Sequence, residues 1–284
     1  MEVTGSGEAL RAACEEGRHK GLSVGFVPTM GFLHEGHLSL VRRAREECDL
    51  TVMSIFVNPL QFAPAEDLAS YPRNLPRDSA LADGSGIDVL FVPDEAEMYP
   101  RRRPVVTVDP GSLGDRLEGT SRPGHFRGVC TVVAKLFGVV GPCRAYFGEK
   151  DAQQLAVIRR MAADLDMPVE VVGCPTVREP DGLAISSRNI YLSPEERAAA
   201  LCLSRALFEA VEGVEAGERD ARVLRARMAA RIEAEPLATL NYSAVVDDGT
   251  FGDVDRIAGP CRALVAARVG KARLIDNALL SGED

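Results

Sequence analysis

The sequence lacks several features that would indicate a membrane protein or a secreted one. No stretch approaches the roughly 20 consecutive apolar residues that a membrane-spanning helix needs, and residues 1–15 show no basic-then-apolar signal peptide. The seven cysteines are odd in number and include no C-x-x-C pair, so neither a zinc site nor a redox dithiol is indicated. We therefore expect a cytoplasmic protein, without a membrane partner, whose cysteines are buried free thiols.

Positive charge is also scarce. Lys and Arg number 33 against 42 Asp and Glu, which gives a formal net charge of -9. Nucleic acids are bound largely through accumulated Lys and Arg, so the composition argues against a nucleic-acid partner. Any anion that the chain binds must be held locally.

The order of apolar segments predicts an α/β fold with two domains. Short buried-type strands at residues 22–28, 51–57, 88–92, 144–147 and 168–172 alternate with helix-length amphipathic segments, which is typical of a parallel sheet wrapped by helices. Two helices rich in Ala, Arg and Glu then span residues 194–235, and three short antiparallel strands follow. We place the domains at residues 1–176 and 177–284.

The strongest local pattern is P-T-M-G-F-L-H-E-G-H, residues 28–37, between the first predicted strand and the first predicted helix. Ligands of open α/β sheets bind outside the carboxyl ends of the strands, and free amides at a helix start favour an anion. His34 and His37, three residues apart, would face the same ligand and could donate hydrogen bonds to phosphate oxygens. Capping or metal binding are the alternatives, although the spacing is not that of a zinc motif.

Two further patterns suit phosphates. F-G-E-K-D-A-Q-Q, residues 147–154, again joins a strand to a helix, and Lys150 supplies a compact cation there. D-G-L-A-I-S-S-R-N, residues 181–189, begins with a turn and continues with two hydroxyls and a guanidinium, so it could close over ATP as a flap. An ordinary capped helix start and a polar linker are the respective alternatives.

Uncharged amides and a third histidine occur in two more loops. N-P-L-Q-F, residues 58–62, follows the second predicted strand and offers Asn58 and Gln61 to the oxygens of a hydroxy acid. R-P-G-H-F-R-G, residues 122–128, places His125 at a Gly-rich helix start. Either segment could be a satisfied turn.

Taken in order, these motifs resemble those of the pantothenate synthetases, the pantoate:β-alanine ligases. P-T-M-G-x-L-H-x-G-H, F-V-N-P-x-Q-F, Y-P-R, R-P-G-H-F-x-G-V, F-G-E-K-D-x-Q-Q, V-R-E-P-D-G-L-A-I-S-S-R-N and the terminal Asp276-Asn277 all occur, across residues 24–277. Phe32 stands where the family more often has a small residue.

The resemblance implies a Rossmann-like nucleotidyltransferase sheet, a smaller α+β C-terminal lid domain and a homodimer that joins pantoate to β-alanine through a pantoyl-adenylate. His34, His37 and Lys150 would be catalytic, and Gln61, Gln154, Asn58 and His125 would serve pantoate. Mg²⁺ would accompany ATP, with Asp78 as a candidate ligand. The expected ATP-binding residues are Met30, Gly31, His34, Gly36, His37, Gly148, Lys150, Asp151, Val177, Ile185, Ser186, Ser187 and Arg188.

Two other functions remain open. The H-x-G-H pattern with a Ser/Arg loop also occurs in nucleotidylyltransferases that transfer AMP to a phosphorylated acceptor, although paired amides favour a small hydroxy acid over a phosphate. A nucleotide-binding protein without catalytic activity is the other alternative, and it would bind ATP without exchanging pyrophosphate.

Overall fold

The computed structural model describes residues 1–62, 68 and 71–280. Its contacts divide the chain into two compact units. The N-terminal unit comprises residues 1–149 and 153–175, and the C-terminal unit comprises residues 150–152 and 176 onward. The chain therefore passes between units at Pro175 and Thr176, and it also contributes Lys150–Ala152 to the C-terminal unit, which the sequence did not predict. The last four residues of the predicted second domain lie outside the described residues.

A parallel sheet forms the N-terminal unit. In the described part of the chain it has six strands, in the spatial order β1-β4-β3-β2-β5-β6, and every neighbouring pair is parallel. The strands are β1 (Glu2–Thr4), β2 (Val24–Thr29), β3 (Leu50–Ile55), β4 (Val89–Phe91), β5 (Cys143–Gly148) and β6 (Val169–Cys174). The α/β prediction is thus confirmed, with an added edge strand, β1.

Helices connect these strands. They are α1 (Gly7–His19), α2 (Glu35–Glu47), α3 (Leu75–Gly84), α4 (Glu95–Met98), α5 (Glu118–Ser121), α6 (His125–Val140) and α7 (Ala152–Asp164). Short 3-10 turns occur at Pro59–Gln61, Gly111–Gly114 and Glu149–Asp151. None of the helices in the described ranges is both long and apolar enough to cross a bilayer.

Both faces of the sheet are covered. Phe26 and Val52 contribute to one apolar cluster with α1 and α6, whereas Val27 and Met53 contribute to another with α2. Adjacent residues of a strand point to opposite faces, so β2 and β3 are nearly continuous runs of buried residues. This pattern is typical of a parallel strand between two helix layers.

The strand order reverses direction between β2 and β5. From β2 the chain adds β3 and then β4 on one side, and it later adds β5 and then β6 on the other side. Such a reversal opens a crevice outside the carboxyl ends of the two central strands. The loop that follows β2 and the loop that follows β5 therefore begin at neighbouring points of the sheet.

The C-terminal unit packs helices on a small antiparallel sheet. Its strands, in spatial order, are β7 (Ala238–Asp247), β8 (Cys261–Val269) and β9 (Ala272–Leu280). Its helices are α8 (Pro194–Ala199), α9 (Leu201–Glu215) and α10 (Ala221–Glu233), preceded by a 3-10 turn at Ser187–Tyr191. The sequence predicted two helices here, and the additional division falls at Ala200, whose backbone stays in the helical region.

Candidate active site

The loop after β2 is held to the sheet by the hydroxyl of Thr29, the last residue of β2. Thr29 Oγ1 donates to the Ser54 carbonyl at 2.8 Å and accepts from the Gly31 amide at 3.1 Å. Gly31 has a φ of +82°, which glycine adopts without the steric cost that a Cβ brings. The chain therefore turns sharply between the end of β2 and α2, and this turn places Met30 and Gly31 at the crevice.

Asp78 fixes the next part of the same loop from α3. Its carboxylate accepts from the Phe32 amide at 2.6 Å and from the Leu33 amide at 2.8 Å, and the side chain is almost fully buried. Phe32 has a φ of +50°, and its ring lies under the Arg77 guanidinium at 5.2 Å. Charge-assisted hydrogen bonds to two consecutive amides offset the cost of that backbone conformation.

The metal role that the sequence suggested for Asp78 stays a prediction beside these contacts. Each carboxylate oxygen accepts a backbone hydrogen bond and keeps a second lone pair. Among the described residues no group of three or more His, Cys, Asp or Glu could hold a metal. Asp78 therefore fits a structural role in the β2 loop.

The two histidines of the loop lie together at the start of α2. His34 is the residue before the helix, and its ring stacks on that of His37 with centroids 4.0 Å apart and planes inclined by 29°. The His34 amide donates to Nδ1 of His37 at 3.3 Å, so a neutral His37 carries its proton on Nε2. The Nε2–H donor therefore lies on the opposite side of the His37 ring from Nδ1, which accepts from the His34 amide.

Gly36 makes room for this stacked pair. A Cβ added at Gly36 would come within 3.0 Å of Nδ1 and Cε1 of His34. That separation is shorter than an ordinary van der Waals contact, so a larger residue would displace the imidazole. The spacing of H-x-G-H is thus explained by the ring packing as well as by the helix start.

Two side-chain amides form a cluster after β3. Asn58 Nδ2 donates to Gln61 Oε1 at 3.0 Å and to the Gly128 carbonyl at 3.1 Å, while Asn58 Oδ1 accepts from the Leu60 amide. The Gln61 amide nitrogen donates to the sulfur of Met30 at 2.9 Å. These partners fix which way each amide points. They also bring Met30 of the β2 loop into contact with Gln61.

Tyr99 completes this cluster, and the sequence did not indicate it. Its hydroxyl donates to Asn58 Oδ1 at 2.8 Å, and burial raises its pKa well above the usual range. A neutral phenol is therefore maintained as a donor. Tyr99 begins one of the two Y-P-R sequences of the chain, and the sequence analysis assigned it no role.

His125 supports the main chain of the same cluster. Its Nδ1 donates to the Gln61 carbonyl at 2.9 Å, and its Nε2 accepts from the Arg122 guanidinium at 2.9 Å. A carbonyl only accepts and a guanidinium only donates, so the two contacts assign the Nδ1–H tautomer. His125 thus holds the Gln61 backbone in place, and Arg122 orients the ring.

Gly128 lets α6 approach the cluster closely. A Cβ there would overlap the Leu60 carbonyl and lie 2.6 Å from the Gln61 Cα. The helix that begins at His125 therefore touches the backbone of the Pro59–Gln61 turn directly. Asn58, Gln61 and His125, which the sequence suggested separately, are brought together by this contact.

The end of β5 leads through a short 3-10 turn into α7. Gly148 ends the strand, Lys150 lies in the 3-10 turn Glu149–Asp151, and α7 begins only at Ala152. Lys150 therefore precedes the helix that carries Gln154. Gln153 is buried and bonds to the Glu118 amide and to the carbonyls of Leu113 and Arg116, whereas the adjacent Gln154 is half-buried.

In the C-terminal unit, residues 177–188 form a tight loop on the surface of that unit. The Ile185 amide donates to the Val177 carbonyl at 3.0 Å, and a turn at Glu179–Gly182 closes the loop. Ser186 Oγ accepts from the Arg188 amide at 3.3 Å at the start of the following 3-10 turn. The predicted turn at Asp181-Gly182 is confirmed, and Ser186, Ser187 and Arg188 are each half-buried.

Arg178 connects this loop to Asp276 of β9, and Asn277 of the same strand binds the main chain of Lys150. Arg178 forms two hydrogen bonds with the Asp276 carboxylate, at 2.6 and 2.9 Å. Asn277 Nδ2 donates to the Lys150 carbonyl at 2.9 Å. Asp276 and Asn277 matched a family motif in the sequence but had no predicted role, since their partners are 98 and 127 residues away in the chain.

An open parallel sheet, with a stacked histidine pair at the helix start beside its switch point, defines a Rossmann-like α/β protein, a class whose ligands bind at such a crevice. Comparisons with known proteins agree. A family model described as pantoate-beta-alanine ligase matches residues 2–279. Pantothenate synthetase of Heliobacterium modesticaldum is 58% identical over 277 residues, 98% of each chain, and that of Moorella thermoacetica is 51% identical over the full length of both.

Solved structures agree as well. Pantothenate synthetase of Thermus thermophilus is similar with a TM-score of 0.91 and 50% identity, covering 98% of this chain and 99% of that one. Pantoate-beta-alanine ligase of Francisella tularensis, solved with Beta-gamma ATP and Beta-alanine, has a TM-score of 0.81 and 33% identity, covering 98% and 97%. The chain belongs to the pantoate-beta-alanine ligase family, which confirms the predicted resemblance.

Proposed function

We infer that this chain catalyses the ATP-dependent condensation of pantoate with β-alanine, giving pantothenate, AMP and pyrophosphate through a pantoyl-adenylate. The contact that carries this inference is the hydrogen bond from Gln61 to Met30. It joins the amide cluster, which suits a hydroxy acid, to the loop that also bears His34 and His37. A site for a carboxylate substrate thus adjoins a site for the nucleotide.

The chemistry requires the carboxylate to become a better acyl donor. A pantoate carboxylate oxygen attacks the α-phosphorus of ATP and the bond to the pyrophosphate oxygen breaks. The amine of β-alanine then attacks the acyl carbon, AMP leaves with the electron pair of the acyl–oxygen bond, and the amine releases a proton. Catalysis of these steps rests mainly on placement and on stabilising charge at phosphorus.

We assign the nucleotide to the loop after β2. Met30, Gly31, Gly36 and Gly148 would lie along ATP, and His34 and His37 would donate hydrogen bonds to the phosphates as negative charge builds up. The Nε2–H tautomer of His37, set by the His34 amide, supports a donor role. The free backbone N–H groups at the start of α2 add a positive electrostatic potential, which favours an anion.

The C-terminal unit would supply the remaining nucleotide contacts. Lys150 is the proposed cation at the phosphates, and Asp151 and Val177 the proposed partners of the nucleoside. Ile185, Ser186, Ser187 and Arg188 would cover the triphosphate and keep water from the adenylate. Ser186, Ser187 and Arg188 are half-buried, and they lie at the start of a 3-10 turn. This local order supports their assignment as hydrogen-bond donors to the phosphates.

Pantoate is assigned to the amide cluster. Gln61 and Gln154 would bind it, while Asn58 and His125 would hold Gln61 in place, since their own hydrogen bonds go to Gln61 and its neighbours. Hydrogen-bonding amides recognise hydroxyl and carboxylate oxygens without adding charge. A neutral binding surface also avoids trapping phosphorylated compounds.

Magnesium belongs to the proposal as a companion of ATP. The ion commonly binds through substrate phosphates and one or two carboxylates, and Asp78 is the candidate carboxylate of this chain. We also propose a homodimer and a cytoplasmic location, as the family resemblance implies.

Pyrophosphate exchange tests the function. The purified chain should incorporate labelled pyrophosphate into ATP only when pantoate is present, and it should release AMP only when pantoate and β-alanine are both present. Exchange with no dependence on pantoate would contradict the proposal. ATP binding without exchange would instead favour a nucleotide-binding protein that lacks catalytic activity.

A further inference from the structure

The side-chain amide of Asn277 connects two parts of the C-terminal unit. Its Nδ2 donates to the Lys150 carbonyl at 2.9 Å, and its Oδ1 accepts from the Arg262 guanidinium at 2.6 Å. Because a guanidinium only donates and a carbonyl only accepts, the amide has one possible orientation. Asn277 is only 4% exposed, so these hydrogen bonds are shielded from water.

Arg262 is itself held in place. Its Nε donates to Asp248 at 2.5 Å, and the residue is buried on β8. The Asn277 side chain therefore accepts a hydrogen bond at Oδ1 from a fixed guanidinium. Through Nδ2 it holds the Lys150 main chain. The Lys150 carbonyl is separated from its own ammonium by a flexible four-carbon stem, so the contact fixes where that stem begins.

Asp276, the preceding residue, anchors the loop that carries Ser186 to Arg188. Its carboxylate accepts two hydrogen bonds from the Arg178 guanidinium and a third, at 2.8 Å, from the backbone N–H of Asn277. Arg178 also donates to the Gly182 carbonyl at 3.0 Å, within the turn of that loop. Bidentate pairing restricts orientation as well as distance, so the loop is held at a defined position on β9.

Consecutive residues of one strand thus hold both segments to which we assign phosphate contacts. We propose that Asp276 and Asn277 are positioning residues of the ligase reaction, which order the Lys150 main chain and the 177–188 loop before substrate binds. The proposal rests on the function proposed above. Neither side chain needs to touch ATP for this role.

Replacement of Asn277 by Asp tests the proposal with little change in shape. The carboxylate still accepts from Arg262, but an oxygen replaces the donor that faces the Lys150 carbonyl, and two acceptors repel. Misplacement of a reacting group by about 1 Å can reduce a rate roughly 100-fold. We expect a loss of about that size in pantoyl-adenylate formation under single turnover, with the KM for pantoate changed less than about twofold.

A double-mutant cycle separates positioning from general damage. If Asn277 acts through Lys150, then Asn277→Asp adds less than about a twofold loss to a Lys150→Ala background. Losses that multiply would overturn the proposal. Ile232→Val, in the buried core of α10, is the control, because it lowers stability in the same unit without touching the network.

Further measurements keep the outcomes distinct. If Asn277→Asp does not fold, Asn277→Ala removes the same donor without adding charge, and the same cycle applies. Absence of pantoate-dependent exchange in the unmodified chain would contradict the proposed function itself. Normal exchange in that chain, together with an unaltered rate in Asn277→Asp, would overturn the positioning role alone.

Discussion

The hydroxyl of Tyr99 donates to Oδ1 of Asn58 at 2.8 Å, and both residues are buried in the N-terminal unit. This contact leaves the Asn58 nitrogen directed at Gln61 and at the Gly128 carbonyl. An aromatic residue 41 positions away therefore sets the direction of the amide on which Gln61 rests. The placement of Gln61 depends on a residue to which the sequence analysis assigned no role.

Tyr99→Phe should impair pantoate use more than it impairs folding. Loss of one buried hydrogen bond costs about 0.5 to 1.5 kcal/mol, and a less constrained Asn58 should raise the KM for pantoate several-fold. Exchange kinetics at varied pantoate, with urea unfolding, measure both. Tyr146→Phe removes a different buried hydroxyl contact, to Glu47, and should lower stability without changing that KM. Equal effects of the two variants on KM would contradict this assignment.

Gly128→Ala should disrupt the amide cluster, because the new Cβ would overlap the Leu60 carbonyl. We expect a lower melting temperature and a large loss of pantoate-dependent exchange. Gly138→Ala, on the same helix, is the matched control, because a Cβ there would meet no described atom within 4 Å beyond its own stretch of helix. Helix propensity predicts that it is neutral or stabilising by up to about 1 kcal/mol. A destabilised Gly138→Ala with an unaffected Gly128→Ala would refute the close approach.

Asp78→Asn should weaken the β2 loop at every magnesium concentration. The substitution replaces one acceptor oxygen with an amide nitrogen, which then faces an N–H of Phe32 or Leu33, and hydrogen bonds to a charged group contribute roughly 1.5 to 3 kcal/mol. Urea unfolding and ATP affinity at low and high Mg²⁺ provide the measurement. Asp83→Asn, an exposed carboxylate on the same helix, is the control. Recovery of Asp78→Asn by excess Mg²⁺ would instead support a metal-ligand role.

His37→Ala should reduce adenylate formation about 100-fold to 1000-fold, the usual cost of removing one preorganised donor at a developing charge. Its ring is only half-buried, so the melting temperature should change little. His19→Ala, exposed at the end of α1, should retain full activity. An unfolded His37→Ala variant would show that the imidazole is a packing residue.

Alkaline stability should depend on Cys202. Burial raises the pKa of its thiol from 9.0 to about 11, so the folded state favours the neutral form. The stabilisation from this shift is fully present below the unfolded pKa of 9.0 and is lost as the pH rises towards the folded value of about 11. Cys202→Ala should show a smaller decline in unfolding free energy across that interval. Identical declines in both proteins would contradict the assignment.

Much of the N-terminal unit could be predicted from local patterns. The buried runs of β2 and β3, and the Gly-flanked histidines between β2 and α2, are each patterns of residues a few positions apart. Their hydrophobic and conformational preferences are therefore visible in the sequence. The expected tight turn at Asp181-Gly182 has the same origin. Near Lys150 a 3-10 turn at Glu149–Asp151 precedes α7, which begins at Ala152.

The contacts that orient the proposed site could not be predicted in this way. Asp78 reaches the Phe32 and Leu33 amides across about 45 residues, and Gln153, rather than Gln154, holds the segment near Glu118. Asp276 meets Arg178 only because β9 folds back on the loop before α8. In each case a polar group found its partner only after the fold had brought distant segments together.

The sequence by itself determined the alternation of strands and helices, the helix-start histidines and the membership of a ligase family, because periodicity, turn residues and motif order are local properties. Only the tertiary structure decided that Asp78 binds amides, that Tyr99 directs Asn58 and that Asn277 carries the Lys150 main chain. Those assignments depend on which buried donors and acceptors become neighbours, and a buried polar group must find a partner wherever the fold provides one.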